Sequence, residues 1–299
     1  MNLLKNKKIL IILITFVFVY LLLSFIVAFS AFSIDDEILN ETPRDLGINY
    51  QELLIETESS YISSWWIPAG SETTIILLHG LRGQKADPEI LNKIELLHTK
   101  GFSLIAIDFR NHGTSGEGDF TFGRDEVNDV FATIDYFHKN EGINSYGLWG
   151  FSYGATTALL FGLEFDEQID EVELVGIFAE SPYLDLLEVF TDQVAYRTPL
   201  NKTMANLLKP GTIFLTNLIY DFDFNSIKKT FGTSRDIKTS TVVISCFNDE
   251  IVPVSQSREI VEILGSNAIY EEFEECYGHG QAEKSDPERY KNILQNLFK

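Results

Sequence analysis

From Thr73 to the C-terminus, short and continuously apolar runs alternate with stretches whose apolar residues recur at helical spacing, and few folds accommodate that alternation. "TTIILLHG", "FSLIAIDF", "YGLWGF", "ELVGIFAES", "STVVISCF" and "AIYEEF" read as buried strands. Between them, Ile90, Leu91, Ile94 and Leu97 form one helical face, and Val127, Val130, Phe131 and Ile134 recur at i, i+3, i+4 and i+7. Further helices are expected over 255–264 and 286–298. A strand that is apolar along its whole length is buried on both faces, so the expected class is α/β: a mostly parallel central sheet flanked by helices. Upstream, "YQELLIETESSYISSWWIPAG" reads as two short strands with a hairpin near 58–60, in which Trp65 and Trp66 are packing residues. Over 183–238 the alternation stops, and apolar helical pieces such as "TIFLTNLIYDF" take its place. Since a structureless loop of that length is improbable inside a compact domain, this stretch is read as a helical cap inserted after the fourth strand of the parallel core.

The N-terminus has a different character. Lys5, Lys7 and Lys8 precede an apolar run from Ile9 to about Phe32, long enough at about 1.5 Å per residue to cross a hydrocarbon core of about 30 Å. The lysines favour a cytoplasmic N-terminus, which makes the chain a single-pass cell-membrane protein with the rest outside the cytoplasm. The competing reading is a cleaved signal peptide, because Ala28-Phe29-Ser30 and Ala31-Phe32-Ser33 have cleavage-type spacing. The apolar region of such a peptide is usually only about 7–15 residues. The division that follows is 1–33 for the basic tip and transmembrane helix, 34–49 for a polar linker containing Pro43, and 50–299 for the folded domain with its cap. The chain's net charge of −21 comes from the exported part, since the first residues up to Ile34 include lysines but no Asp or Glu. That charge repels nucleic acid, which is excluded as a partner.

In "GFSYGA" a serine, Ser152, stands in the pattern G-x-S-x-G between Gly150 and Gly154. A strand precedes it and a helix of small residues follows, the context in which a sharp turn exposes a nucleophilic hydroxyl. A hydroxyl needs a base to take its proton and a carboxylate to orient that base. Of the 5 histidines, His98 and His138 fall in helices and His79 and His112 precede the serine, leaving His279 in "CYGHGQ". The bland alternative is a polar turn histidine. For the acid, Asp249 in "CFNDEIVP" is the choice and Glu180 in "AESP" the alternative, while Glu250 faces away if Asp249 faces in. Oxyanion donors are expected from the N–H groups of Tyr153 and Leu81, with His79, Gly80, Gly150 and Gly154 shaping the turns around them.

At these residues the chain resembles the α/β-hydrolase superfamily, in particular its serine aminopeptidase-like, monoacylglycerol-lipase-like and membrane-anchored bacterial members. The segments are "LLHGLRG", "IAIDFRNHGTS", "GLWGFSYGA", "IFAESPY", "NDEIVP" and "GHG", in family order across 50–299, with Asn111 where the family usually has glycine. The resemblance implies acyl-enzyme chemistry without metal or cofactor: Ser152 attacks, His279 moves the proton and Asp249 orients the ring. In this fold Cys246 and Cys276 lie on neighbouring strands, three residues before Asp249 and His279, either as a disulfide or as two small buried hydrophobes. The apolar cap favours a carboxylic ester with an acyl or lipid-like group as the small-molecule substrate, with the membrane as the other partner. One alternative is a serine aminopeptidase acting on a short peptide, its substrate amine met by Glu188, Asp192, Asp221 or Asp223. Another is a tethered binding protein without turnover, against which the complete Ser-Asp-His set argues.

Overall fold

In the computed structural model, which describes residues 2–34, 37–58, 60–165, 171–197, 201–233 and 236–299, the apolar runs become strands and the periodic stretches helices. In chain order these are α1 (Asn2–Phe32), β1 (Gln51–Glu56), β2 (Tyr61–Ile67), β3 (Thr74–Leu78), α2 (Pro88–His98), β4 (Ser103–Ile107), α3 (Val127–Glu141), β5 (Ser145–Phe151) and α4 (Tyr153–Glu164). They continue with β6 (Glu173–Glu180), α5 (Leu186–Arg197), α6 (Lys202–Tyr220), α7 (Ser226–Thr233), β7 (Thr241–Asn248), α8 (Val254–Leu264), β8 (Ala268–Tyr277), α9 (Ala282–Ser285) and α10 (Pro287–Leu297). The strands form one 8-stranded sheet in the order β1-β2-β4-β3-β5-β6-β7-β8. β2 pairs antiparallel with β1 and β4, and every other pairing is parallel.

Every residue of β3 and β4 is buried, as continuous apolar strands require. Consecutive strand residues face opposite sides. Trp65 accordingly joins the core under α2 and α10 with Trp149, Phe178, Ile94 and Leu294, whereas Trp66 turns to Phe137 of α3, ring centroids 5.2 Å apart. Fully burying one such apolar side chain is worth about 1.5–3 kcal/mol. The hairpin between β1 and β2 is closed by Thr57 N–H on the Ser60 carbonyl, and Ser59 lies outside the described residues. From β3 the chain steps outward to β4 and then returns to β5 on the other side of β3. In open α/β sheets, ligands bind at the carboxyl ends of strands where the order reverses this way.

The sheet and its helices make one unit, Ile34–Leu184 with Ile227–Lys299. Of the segment expected as a linker, Asp35 and Asp36 lie outside the described residues. Further on, Leu39 N–H donates to Gln84 Oε1 (3.0 Å), and Gln84 Nε2 donates to the Glu37 carbonyl (2.7 Å). A second unit comprises Met1–Ser33 and Asp185–Ser226. Within it, α1 includes a stretch, Lys7–Phe32, whose most apolar 18 residues have a mean hydropathy of 3.1, long and apolar enough to cross a membrane. It packs along α6, with the Phe32 and Tyr220 rings stacked at 4.1 Å.

Candidate active site

Ser152 sits between the end of β5 and the start of α4 with φ 51° and ψ −107°, a conformation that costs a non-glycine residue about 1–3 kcal/mol. Main-chain bonds hold it there. Ser152 N–H donates to the Glu180 carbonyl (2.7 Å) and Gly154 N–H to the His79 carbonyl (3.1 Å). The flanking glycines are dictated by how closely those backbones approach. A Cβ on Gly150 would overlap the Gly154 carbonyl, and one on Gly154 would overlap the Leu78 carbonyl and stand 2.6 Å from that of His79. The G-x-S-x-G spacing is therefore a steric requirement of this turn.

Asp249 and His279 stand on the loops after β7 and β8. His279 Nδ1 donates to Asp249 Oδ2 at 2.8 Å, and Asp249 Oδ1 accepts from the N–H groups of Ile251 and Val252, each 2.9 Å. The Asp249 side chain is fully buried and that of His279 is 11% exposed. Burial pushes the Asp249 carboxyl up, but the hydrogen bond and charge of His279 and the two backbone donors outweigh it and hold it below its ordinary value. With Nδ1 on the carboxylate, Nε2 is the nitrogen left for proton exchange. Glu180, the alternative acid, is engaged elsewhere: its Oε2 accepts from Tyr290 Oη (2.8 Å), which accepts from Trp149 Nε1 (2.9 Å). Glu250 is exposed. Phe151 links serine and histidine by packing, its ring 4.8 Å from that of His279 and close enough to Gly80 and Gly280 that a Cβ on either would strike it. Among the described residues, Ser152 Oγ makes no hydrogen bond to His279. Catalytic contacts of this kind commonly tighten only when substrate is bound.

The two loops are tied together beyond the Asp–His contact. Regular pairing of β7 with β8 breaks after Cys246↔Phe273 and resumes at Asn248↔Tyr277. At that break Cys246 and Cys276 form a disulfide, with Cα atoms 4.8 Å apart, and Gly278 N–H donates to the Asn248 carbonyl (2.8 Å).

The Leu81 and Tyr153 N–H groups follow β3 and open α4, respectively, at the same sheet end. Among the described residues neither donates to an acceptor, and an N–H at a helix N-terminus is suited to an anion. His79 fixes the Leu81 turn. Its Nε2 accepts from Phe109 N–H (3.1 Å), so its proton is on Nδ1, which donates to the Gly80 carbonyl (2.7 Å). Burial lowers its pKa and keeps the ring neutral.

Further residues support the site, some in the segment "DFRNHGTS" that the resemblance singled out and some, such as Lys85, unmarked in sequence. Lys85 and Asp108, both buried, pair at 2.6 Å, and Asp108 also accepts from the N–H groups of Lys85 and Thr114. Asn111, at the family's usual glycine, has φ 64°, the left-handed region that asparagine tolerates better than most residues, and clasps Gly118 through both amide atoms. His112 donates from Nδ1 to the Arg110 carbonyl (2.9 Å), lies 5.6 Å from the Tyr153 ring, and has its pKa pushed to about 3 by burial and by neighbouring His79. The family segment "IAIDFRNHGTS" marks this loop in sequence, as a support that does not react; nothing marks Lys85 as buried.

The sheet order and the serine turn are those of the alpha/beta hydrolase fold. A family profile described as the alpha/beta hydrolase fold matches residues 73–219. Among solved structures, the Pyrococcus furiosus esterase Pf2001 is similar at 26% identity and a TM-score of 0.71, over 89% of this chain and 98% of that one. Among curated proteins, YqkD of Bacillus subtilis, described as uncharacterized, is 24% identical over 240 residues, 77% of this chain and 72% of YqkD. Ethanol acetyltransferase 1 of Cyberlindnera jadinii is 25% identical over 170 residues, 56% of this chain and 46% of that protein. These similarities show that the chain has the alpha/beta hydrolase fold.

Proposed function

We propose that this chain is a membrane-anchored serine hydrolase of carboxylic esters, of the kind that includes monoacylglycerol-lipase-like enzymes. The observation that carries the reading is the juxtaposition of a strained, glycine-flanked Ser152 with a histidine already oriented by a buried aspartate. In the reaction Ser152 Oγ adds to the ester carbonyl while His279 Nε2 takes its proton. Leu81 and Tyr153 N–H groups hold the developing oxyanion, worth about 3–4 kcal/mol per donor. His279 then returns the proton to the leaving alkoxide, and water repeats the attack on the acyl-enzyme. Asp249 keeps the imidazolium in place throughout.

The similarity to an esterase and to an acetyltransferase supports an acyl bond to oxygen. Support for the anchor comes from the apolar run of α1 and from Lys5, Lys7 and Lys8 ahead of that run, which favour a cytoplasmic N-terminus with the sheet domain outside the cytoplasm. A disulfide suits that oxidising side. The test is turnover of p-nitrophenyl esters of increasing acyl length by the full chain in detergent, against Ser152→Ala. Ester turnover falling on the order of 10⁴–10⁶-fold in the variant is expected. Turnover of aminoacyl p-nitroanilides alone would replace the esterase reading with a peptidase.

A further inference from the structure

The second unit exposes apolar surface that the proposed chemistry does not use. On α6, Met204, Leu207, Phe214, Leu218 and Ile219 are 48–68% exposed. The residues that α6 buries are small or hydroxylated for the most part: Ala205, Leu208, Gly211, Thr212 and Thr216. An amphipathic helix of a water-soluble unit directs its largest apolar side chains inward, and this one directs them out. Between Thr203 and Tyr220 its sole charge is Lys209.

This face continues the surface of α1. From Lys7 to Phe32 the side chains that α1 buries are Ser24, Ala28 and Ala31, small residues at i, i+4 and i+7; Tyr20, Val27 and Phe32 are half-buried, and most of its other large residues face outward. Opposite them stands Gly211, where a Cβ would overlap Ser24 Oγ and lie 2.8 Å from the Tyr20 ring, and whose N–H donates to Tyr20 Oη (2.9 Å). Two helices joined by small residues, with their bulky apolar residues turned outward, pack as helices do in lipid, where close backbone contact drives association. The depth is consistent. A hydrocarbon core of about 30 Å takes about 20 residues, so a span beginning at Ile9, after Lys7 and Lys8, ends near Ala28. Ser24 is then about 6 Å inside the outer boundary, and Gly211 beside it lies at the depth of about 5–10 Å that an interfacial helix occupies. A lysine at that depth reaches the headgroups on its flexible stem, as Lys209 would.

We propose that α6 is a second membrane-embedded element, its exposed face from Met204 to Ile219 resting among the acyl chains of the outer leaflet beside α1. The proposal rests on reading α1 as an anchor. It makes part of the insertion between β6 and β7 a lipid-bound segment in its own right.

The test places an added tryptophan on the full chain in phosphatidylcholine vesicles containing acyl-brominated lipid, as Phe214→Trp, Leu218→Trp, Phe18→Trp on α1, and Leu54→Trp on β1. All four positions are exposed, and the native Trp65, Trp66 and Trp149 are buried, so the added signal is read as the difference from the parent chain. Quenching of Phe214→Trp and Leu218→Trp several-fold above Leu54→Trp is the expected result. Phe18→Trp quenched with Phe214→Trp and Leu218→Trp at the Leu54→Trp level would overturn the proposal and leave the anchor standing. Phe18→Trp unquenched would remove the anchor and the proposal with it.

Discussion

The turn carrying Ser152 and the loops carrying Asp249 and His279 lie at the same end of one sheet, yet they are held by different forces. At the turn, main chain packs on main chain, and the geometry depends on side chains that are missing at Gly150 and Gly154. At the loops it depends on groups that are present: a carboxylate with three donors, a disulfide, and one backbone bond across a broken ladder. A turn of the first kind fails as a whole when one atom is added. An arrangement of the second kind can be dismantled a bond at a time, and so can be tested a bond at a time.

The largest stability effect is expected at the loops. The chain-entropy relation gives the Cys246–Cys276 bridge, at a sequence separation of 30, about 12 cal/mol/K, or about 3.6 kcal/mol at 25 °C. Replacing both cysteines with alanine lowers the denaturant midpoint accordingly, and kcat/KM falls about tenfold as the Asp249–His279 pair loosens. An unchanged kcat/KM would mean that the loops hold the pair unaided. At the turn, Gly154→Ala forces a methyl into the Leu78 and His79 carbonyls and is expected to cost about 3 kcal/mol together with nearly all activity. Gly70, around which a Cβ meets nothing within 4 Å, is the control, with Gly70→Ala within about 1 kcal/mol of the parent. Equal thermal shifts for the two alanines would show that the close approach at Gly154 is not what fixes the turn.

A further effect, read as a slope against pH, comes from protonation. His112 titrates at about 3 in the fold against 6.5 for a free histidine, so between those values the unfolded chain holds a proton that the folded chain lacks. Stability therefore rises with pH across that window, by up to about 1.4 kcal/mol per unit, and the contribution is complete above it. Asp249, whose folded pKa is lowered, acts in the same direction at more acid pH, its stabilisation disappearing as pH falls through the folded value. Thermal melts of His112→Gln from pH 4 to 7 are expected to show a shallower slope than the parent, and an identical slope would remove His112 from the account.

The same contrast explains what the sequence revealed. The parallel sheet was legible because β3 to β6 each carry an unbroken run without charged residues, and the serine turn because its steric demand is written as a fixed glycine spacing. The edge strand was less so: β8 runs four residues past "AIYEEF" to Tyr277, through Glu274 and Glu275, because one side of an edge strand meets water and acidic residues are tolerated there. Buried charge was invisible. Lys93 lies beside the apolar face of α2, but its ammonium pairs with Glu283 and sits 4.6 Å from the Tyr290 ring centroid, partners nearly two hundred residues away. A local pattern cannot announce a charge whose compensation arrives from the far end of the chain. Asp249 and Glu180 differ in the same way, through partners distant in sequence: Asp249 meets His279 and Glu180 meets Tyr290.

The central claim is that Ser152 is a nucleophile activated by the His279–Asp249 pair. Its most direct measurement is the intact mass of the full chain after incubation with a fluorophosphonate, beside Ser152→Ala. The account predicts one adduct per chain, located on Ser152 and absent from the variant. No adduct on the parent chain, or an adduct that persists undiminished in Ser152→Ala, would contradict it.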